Sequence, residues 1–194
     1  MQGIKENGGD AILVHADVAN HAGTMAMVNE TLERFGRLDY AFNNAGVSGR
    51  HHRHLTADYL EEDWDQVLNI NLKGVWLSMK AEIPHMVAQG GGAIVNTASI
   101  FGLTATTNNV AYMASKHGVV GLTKAAALEY ADKNVRINSV CPGYIDTPMT
   151  QPLFAADEDM LDQVVSRHPV GRLGQPGEIA AAVLWLSSDA ASFV

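Results

Sequence analysis

Two patterns of hydrophobic and polar residues alternate along the chain. Short runs of β-branched and other apolar residues predict buried strands, while longer stretches with apolar residues at helical spacing predict helices. The predicted strands span residues 11–16, 38–42, 93–98 and 135–140, and the predicted helices span 21–35, 64–87, 110–131 and 176–186. Strands that alternate with helices are typical of βαβ units. We therefore expect an α/β fold in which a doubly wound parallel sheet lies between two layers of helices.

Glycine and proline residues mark the ends of these elements. Gly36 follows the first predicted helix, and Pro176 stands where the first turn of a helix tolerates proline. No repeat, low-complexity tract or interdomain linker interrupts the sequence, and its length suits a single core. We expect one domain over residues 1–194, whose least regular part is 147–172.

Composition and charge narrow the classes of function. The formal net charge is −8 and the Lys and Arg residues are scattered, which disfavours nucleic acid as a partner. The single cysteine, Cys141, excludes an internal disulfide and a cysteine-rich metal site. No apolar run approaches the roughly 20 residues of a membrane helix, and the first residues lack a signal-peptide core. We expect a soluble protein of the cytoplasm without a membrane partner.

The residues that follow the predicted strands are the candidates for ligand binding. They are Asp17 and Val18 after the first strand, Asn43-Asn44-Ala45-Gly46 after the second, Ser99 after the third and Pro142-Gly143 after the fourth. In an open α/β sheet, ligands bind beyond the carboxyl ends of the strands. These residues should therefore meet along one rim of the sheet.

Tyr112 and Lys116 are the candidates for acid–base chemistry. They are four residues apart in a predicted helix, so their side chains share one face. A free tyrosine has a pKa of about 10, too high for a base near neutrality, and a nearby ammonium group can lower that pKa by roughly 1–3 units. Tyr112 could then exchange a proton with an alcohol or carbonyl oxygen that Ser99 holds by a hydrogen bond.

These residues belong to a set of motifs that resembles the short-chain dehydrogenase/reductase family. The motifs are Asn43-Asn44-Ala45-Gly46, Asn71 in Asn69-Ile-Asn-Leu-Lys-Gly74, Ser99, Tyr112-x-x-x-Lys116 and Pro142-Gly143-x-x-x-Thr147. The spacing of thirteen residues from Ser99 to Tyr112 also matches the family. Each motif alone is weak, but five in the right order, each at a predicted strand end or helix face, form a strong signal.

The resemblance implies a role for each of these positions. Tyr112 would be the general acid/base, and Lys116 would bind the nicotinamide ribose and lower the pKa of the tyrosine. Ser99 would orient the substrate, and Asn71 would hold a water that connects Lys116 with solvent. The remaining cofactor contacts would come from Asp17 and Val18 at the adenine, Asn43, Ala45 and Gly46 beside the central strand, and Pro142, Gly143, Ile145 and Thr147 at the nicotinamide end.

The implied activity is hydride transfer between NAD or NADP and a small alcohol or ketone. Ile100, Phe101, Tyr144 and parts of 147–165 would line a largely apolar pocket, which favours a secondary or cyclic alcohol over a sugar phosphate. A homo-oligomer, dimer or tetramer, is implied for the full-length form. Two rivals are a nucleotide-sugar epimerase or dehydratase, which would need a larger substrate domain, and a non-catalytic remnant that retains the site by descent.

The sequence departs from the family pattern in its first part and at its end. No glycine-rich turn of the form Thr-Gly-x-x-x-Gly-x-Gly follows a strand, and the family's first two strands and last strand are absent. In the strand order 3-2-1-4-5-6, the segments 11–16 and 38–42 would then lie about 14 Å apart and could not pair. This predicts an incomplete Rossmann-like sheet. It motivates the hypothesis of a truncated gene product, which cofactor binding and turnover by the 194-residue protein would refute.

Several residues also have a purely structural interpretation. Asn71 could be a buried asparagine that satisfies backbone groups, Asp17 could belong to a helix N-terminus, and residues 43–46 could form only a tight turn. The stripe from Trp64 to Met79 could be core or a subunit surface. His51, His52 and His54 lie in a polar loop without the spacing of metal ligands, so no metal site is expected.

Overall fold

Three parallel strands form the sheet of the part of the chain that the structure describes. The computed structural model describes residues 2–49, 54–156 and 158–194, with only the backbone at residues 156 and 158. The strands are β1 (Tyr40–Asn43), β2 (Gly92–Thr97) and β3 (Val135–Val140), in the spatial order β1-β2-β3. Phe42 lies opposite Val95, which in turn lies opposite Asn138. Because all three strands are parallel, their carboxyl ends lie along one rim.

Eight helices accompany these strands over the described ranges. They are α1 (Gln2–Glu6), α2 (His21–Phe35), α3 (Glu61–Leu68), α4 (Gly74–Ala88), α5 (Val110–Tyr130), α6 (Gln151–Ala156), α7 (Glu158–Ser166) and α8 (Pro176–Ser187). A short 3-10 turn, Ile100–Gly102, follows β2. Helix α2 starts where the Asn20 side chain accepts a hydrogen bond from the Gly23 N–H, and it ends at Gly36, whose φ of 77° is left-handed.

The sheet packs between two layers of helices, as the sequence predicts. On one face lies the larger part of the core, formed by side chains of β2, β3, α4 and α5 such as Met86, Ile94, Val119 and Ile137. On the other face Val95 packs against Val183 and Leu186 of α8. Both faces of β2 are therefore buried, which explains why Ala93, Ile94 and Val95 follow one another without an intervening polar residue.

The helix predicted over 64–87 is longer and contains a wider turn. It begins at Glu61 in α3 and continues to Ala88 in α4 through a π-helical turn, Asn69–Lys73. There the Gly74 N–H donates to the carbonyl of Asn69, five residues earlier. Val67, Val75 and Met79 are buried, so most of the predicted apolar stripe belongs to the core, although the side chain of Trp64 stays partly exposed.

The strand predicted over 11–16 is not formed, and this prediction was wrong. The segment has no regular secondary structure and lies outside the sheet. A strand requires a hydrogen-bonded neighbour, and the expected separation of about three strand spacings from β1 leaves none within reach. The expectation that residues 11–16 and β1 do not pair is confirmed. The short helices α1, α6 and α7 were not predicted; the last two lie in the stretch that the sequence showed as irregular.

None of the described helices is long and apolar enough to cross a membrane.

Candidate active site

A cavity of about 290 Å³ lies beyond the carboxyl ends of β2 and β3. Its lining combines the end of β2, the start of α5, the segment after β3 and helices α6 and α7. The lining includes Ser48, Gly49, Ser99, Ile100, Phe101, Thr106, Thr107, Asn108, Asn109, Tyr112, Gly143, Tyr144, Met149, Leu153, Gln163, Val164 and Arg167. A site at this rim is where an open parallel sheet binds its ligands.

Ser99 enters this cavity from the end of β2. Its extended backbone caps the 3-10 turn that follows, and its hydroxyl accepts a hydrogen bond from the Phe101 N–H at 3.2 Å. The residue is 7% exposed, so the hydroxyl is almost fully removed from water. A hydrogen bond also joins it to the Tyr112 phenol, where it opposes the effect of burial on the pKa. The cap fixes the serine rotamer beside the phenol.

Tyr112 and Lys116 lie on consecutive turns of α5, as the spacing predicts. The Lys116 ammonium is 5.6 Å from the centre of the Tyr112 ring. Burial raises the pKa of Tyr112 above 10.0, the hydrogen bond with Ser99 lowers it, and Tyr144 raises it further. We expected Lys116 to lower this pKa. In the structure burial has the largest effect, and the net shift of the Tyr112 pKa is upward.

Lys116 is itself buried, with 4% of its surface exposed. Its ammonium donates to the carbonyl of Thr97 on β2 at 2.8 Å. Burial lowers the pKa of Lys116 to about 8, with a smaller opposing effect of Cys141. An ammonium has three donors, so this contact leaves two for a ligand. A buried lysine with a shifted pKa beside a half-buried tyrosine is a costly arrangement that is typical of functional sites.

Asn71 lies in the π-helical turn and is fully buried. Its Oδ1 accepts from the Val47 N–H and its Nδ2 donates to the Val47 carbonyl, both at 2.8 Å, while Nδ2 also reaches Ser115 Oγ at 3.3 Å. These contacts are those that the structural interpretation describes, since the side chain fastens the loop after β1 to the helix. The predicted water relay stays a prediction: both Nδ2 protons have protein acceptors, and Oδ1 keeps one acceptor lone pair.

Asn43, at the end of β1, turns its side chain away from the rim and into the core. Its Nδ2 donates to Glu82 Oε2 at 3.1 Å and to Asn96 Oδ1 at 3.0 Å. Asn96 in turn donates to Thr123 Oγ1 at 3.0 Å. These four side chains form a buried polar cluster beneath the site. The Asn43 side chain is thus used by contacts within the core, and only the backbone of Asn43 is available to contact a cofactor.

Glu82 in this cluster is a residue that sequence reasoning missed. It is 3% exposed on α4, and burial raises the pKa of its carboxyl to about 7, against a lowering by the Asn43 hydrogen bond. The signal was available: residues 79, 82, 83 and 86 fall on the same helical face, so a carboxylate there must face the core.

Gly46 forms an open cradle next to the lysine. A Cβ at this position would lie 3.3 Å from Asn71 Oδ1 and 3.8 Å from the Lys116 ammonium nitrogen. Any side chain would therefore occupy the space in front of Lys116. Ala45 lies beside it, and Asn44 Oδ1 accepts from the Thr97 hydroxyl at 2.9 Å, which ties this loop to β2.

The segment after β3 closes the other side of the cavity. The Pro142 carbonyl accepts from the Ile100 N–H at 2.8 Å, and Ile145 pairs with Gly174 in a parallel bridge. The Thr147 hydroxyl lies 3.3 Å from that of Thr150, within a tight turn. Gly143 lies against His168, where a Cβ would approach Nε2 to 2.8 Å.

Asp17 and Val18 lie at the entrance to α2. Both carboxylate oxygens of Asp17 are used locally, Oδ1 by the Ala19 N–H at 2.9 Å and Oδ2 by Asn20 Nδ2 at 3.1 Å. The structural interpretation, that Asp17 shapes a helix N-terminus, therefore describes the observed contacts. Val18 packs on Gly74, at whose position a Cβ would lie 3.0 Å from Val18 Cγ2.

The cavity lining is more polar than the sequence predicted. Ile100, Phe101 and Tyr144 take part as expected, but residues 106–109 and Arg167 add hydroxyls, amides and a guanidinium. These residues come from segments without a periodic pattern, so only the tertiary structure brings them together. Among the described residues, no cluster of three or more His, Cys, Asp or Glu side chains could hold a metal ion. His51 and His52 lie outside the described residues.

Comparison with known proteins agrees with this arrangement. A family model described as enoyl-(acyl carrier protein) reductase matches residues 1–194. Cyclohexanol dehydrogenase of Acinetobacter sp. (strain SE19) is 50% identical over 187 residues, which are 96% of this chain and 71% of that protein. The structure of NAD+-bound xylitol dehydrogenase superposes with a TM-score of 0.93 at 31% identity, over 100% of this chain and 78% of the other. That of ElxO with NADP bound gives 0.85 at 35% identity, over 92% and 71%.

The fold, the order of motifs and these matches define the class. The chain belongs to the short-chain dehydrogenase/reductase family, and by family it is an NAD(P)-dependent oxidoreductase.

Proposed function

We propose that this protein transfers hydride between NAD or NADP and the carbinol carbon of a small cyclic or secondary alcohol, with Tyr112 as the acid/base. The observation that carries the proposal is a cavity at the rim of the sheet that is lined by Ser99 and Tyr112, with the buried ammonium of Lys116 at 5.6 Å from the centre of the Tyr112 ring. The non-catalytic alternative, in which the chain only retains these residues, predicts no turnover at all.

The proposed chemistry gives one role to each of the side chains of Ser99, Tyr112 and Lys116. In alcohol oxidation, the Ser99 hydroxyl donates to the substrate oxygen while the Tyr112 phenolate takes the hydroxyl proton. A bound NAD or NADP would supply the hydride acceptor for the same carbon and a positive charge near the phenolate. Ketone reduction reverses both transfers, with the Tyr112 phenol returning the proton. Lys116, still charged below a pKa of about 8, stabilises the phenolate.

The described residues fit the nicotinamide riboside half of a cofactor. Lys116 keeps two ammonium donors for ribose hydroxyls, and the missing side chain at Gly46 leaves space in front of them. Thr147 and the backbone of Ile145 are the proposed contacts at the carboxamide end. We assign no residue of this chain to the pyrophosphate, and both NAD and NADP stay open.

A compact alcohol or ketone suits the cavity. Its volume of about 290 Å³ is at the lower end of small-molecule sites. The edge-to-face pair of Phe101 and Tyr144, with ring centres 5.9 Å apart, supplies an apolar wall beside Ser99. The relative at 50% identity is named for cyclohexanol, which supports a cyclic alcohol as the first substrate to test. A cytoplasmic location is part of the same proposal.

The test is the reduction of NAD or NADP by a panel of cyclic and secondary alcohols. The absorbance of the reduced nicotinamide measures the rate. We expect the wild type to turn over at least one of them and Tyr112→Phe to lose activity by a factor of about 100 or more. Tyr130→Phe is the matched control, since Tyr130 is the last residue of the same helix and lies away from the cavity. Equal activity of wild type and Tyr112→Phe would contradict the assignment, and an inert wild type would favour the non-catalytic alternative.

A further inference from the structure

His168 lies directly behind the cavity wall, just after α7. Its Nδ1 is 2.8 Å from the carbonyl oxygen of Val164, and its Nε2 is 3.2 Å from the backbone nitrogen of Tyr144. The imidazole therefore joins the end of α7 to the segment that follows β3. It does not itself line the cavity.

These two contacts determine the tautomer of the ring. A carbonyl oxygen only accepts, so the proton must be on Nδ1; a backbone N–H only donates, so Nε2 must carry a free lone pair. Only a neutral imidazole with its proton on Nδ1 can make both hydrogen bonds at once.

The fit of the ring against the wall is close. A Cβ at Gly143 would lie 2.8 Å from Nε2, so a side chain there would displace the ring. The edge of the imidazole meets the Tyr144 ring, with centres 6.1 Å apart at an angle of 76°. Gly143 and Tyr144 both line the cavity that holds Ser99 and Tyr112.

The other hydrogen bonds of this wall are backbone contacts on its far sides. The Pro142 carbonyl accepts from the Ile100 N–H, and the Tyr144 carbonyl accepts from the Gly174 N–H at 3.0 Å. The Tyr144 N–H is the group that points back toward α7, and His168 is its partner. A movement of α7 relative to the wall would therefore displace the His168 ring.

We propose that His168 is a positioning residue that holds the Gly143–Tyr144 wall against α7 and thereby sets the substrate side of the cavity. It acts through the wall and touches no reacting atom. The kinetic part of this inference rests on the proposed function; the structural part does not. The substrate side is affected because Tyr144 packs on Phe101 beside Ser99, whereas Lys116 and Gly46 are not among the residues that line the cavity.

Three variants distinguish the effect of the hydrogen-bond acceptor of His168 from the effect of the volume of its ring. His168→Gln keeps an acceptor oxygen at about the reach of Nε2, and His168→Leu removes it while it still fills space. His117→Leu is the matched control: His117 Nδ1 makes the same contact with a carbonyl four residues earlier, that of Met113, at 3.0 Å, but on the exposed side of α5.

The activity-independent readout is NMR of the protein without ligand. We expect long-range ¹⁵N spectra of the wild type to show His168 protonated on Nδ1 only, and the Tyr144 amide to exchange at least about 10-fold faster in His168→Leu than in the wild type or His168→Gln. A ring protonated on Nε2 in the neutral form, or an unchanged Tyr144 amide in His168→Leu, overturns the proposal. If His168→Leu does not fold, two results still test the proposal. They are the nitrogen that carries the proton in the wild-type ring and the exchange rate of the Tyr144 amide in His168→Gln.

The kinetic readout separates substrate from cofactor. We expect His168→Leu to raise KM for cyclohexanone about 10-fold or more, with KM for the cofactor changed less than about 2-fold, and His168→Gln to recover most of the loss. Equal effects on both KM values, or the same loss in His168→Gln, contradict a positioning role. A wild type without turnover refutes the proposed function, while the NMR result still judges His168.

Discussion

Glu82 is the buried carboxyl of the polar cluster beneath the rim, and the chemistry proposed for the site does not use it. Its hydrogen bond from Asn43 stabilises the charged form only in part, so burial keeps the pKa near 7, well above the ordinary value of 4.5. A carboxyl that titrates higher in the folded state makes the protein more stable when it is protonated. The stability contribution is complete below the unfolded pKa and is lost as the pH rises toward 7.

Glu82→Gln should remove this pH dependence, because a glutamine imitates the neutral acid and can still accept from Asn43. We expect the variant to exceed the wild type in free energy of unfolding by about 3 kcal/mol at pH 8, and by less than about 1 kcal/mol at pH 5. Urea unfolding at the two pH values measures the difference. Glu129→Gln on the exposed side of α5 should give a difference that does not depend on pH. A pH-independent result for Glu82→Gln would show that the carboxyl is not held protonated.

At the residue scale, the sequence predicted the proposed catalytic pair better than its surroundings. The spacing of Tyr112 and Lys116 places them on one helical face, and the structure does so. The upward shift in the Tyr112 pKa depends on how much protein covers the phenol, which no local pattern encodes. Likewise, nothing near His168 in sequence indicates that it accepts from Tyr144, because the contact joins segments 24 residues apart.

At the element scale, the site depends on how closely the 3-10 turn after β2 approaches α5. A Cβ at Gly102 would lie 2.7 Å from the carbonyl oxygen of Lys116 and 3.1 Å from Val120 Cγ2. The nearest obstacle is backbone, which cannot rotate away as a side chain can. The absence of a side chain at Gly102 therefore lets Ser99, three residues earlier, reach Tyr112.

Gly102→Ala should push the turn off the helix. We expect a loss of about 1–3 kcal/mol in the free energy of unfolding and a fall of about 10-fold or more in kcat/KM, since Ser99 moves with the turn. Gly121→Ala, on the α5 helix that this turn approaches, is the control, because a Cβ at Gly121 would meet nothing within 4 Å. It should gain about 0.5–1 kcal/mol by its better helix propensity. Two alanine variants of equal stability and activity would contradict the close approach.

The element boundaries show where sequence patterns carry enough information. The bounds of α2 and β3 agree with the prediction. Asn20 and Gly36 cap α2, and in β3 the apolar Val135 and Ile137 alternate with polar residues. The composition of segment 11–16 predicts a strand, but the segment has no partner strand. Strand pairing depends on the tertiary structure, which the composition of a segment does not reveal. Helices α6 and α7 were missed since their short lengths give little periodic signal.

At the scale of the whole molecule, exposed aromatic residues on the outer helices bear on assembly. Trp64 and Trp76 are 38% and 44% exposed, and the Lys80 ammonium lies over the Trp76 ring at 5.2 Å. Contiguous patches of exposed apolar side chains mark protein–protein interaction surfaces. The predicted homo-oligomer stays a prediction, and this surface is where we place it.

The double variant Trp64→Glu, Trp76→Glu should shift the protein to monomers. Burying two carboxylates in an apolar interface costs several kcal/mol, enough to dissociate a dimer at micromolar concentration. Sedimentation velocity measures the effect, with Leu13→Glu as the control at another exposed apolar position. A wild type that sediments as a monomer would refute the oligomer, and an unchanged oligomer in the double variant would place its interface elsewhere.

The measurement that tests the central claim most directly is isotope transfer. Cyclohexanone is incubated with NADH or NADPH that carries deuterium on the transferable position of the nicotinamide, and the product is analysed by mass spectrometry. The account predicts cyclohexanol with one deuterium on the carbinol carbon from the wild type and from Tyr130→Phe, and none from Tyr112→Phe. Unlabelled product, no product from the wild type, or equal labelling by Tyr112→Phe would contradict it.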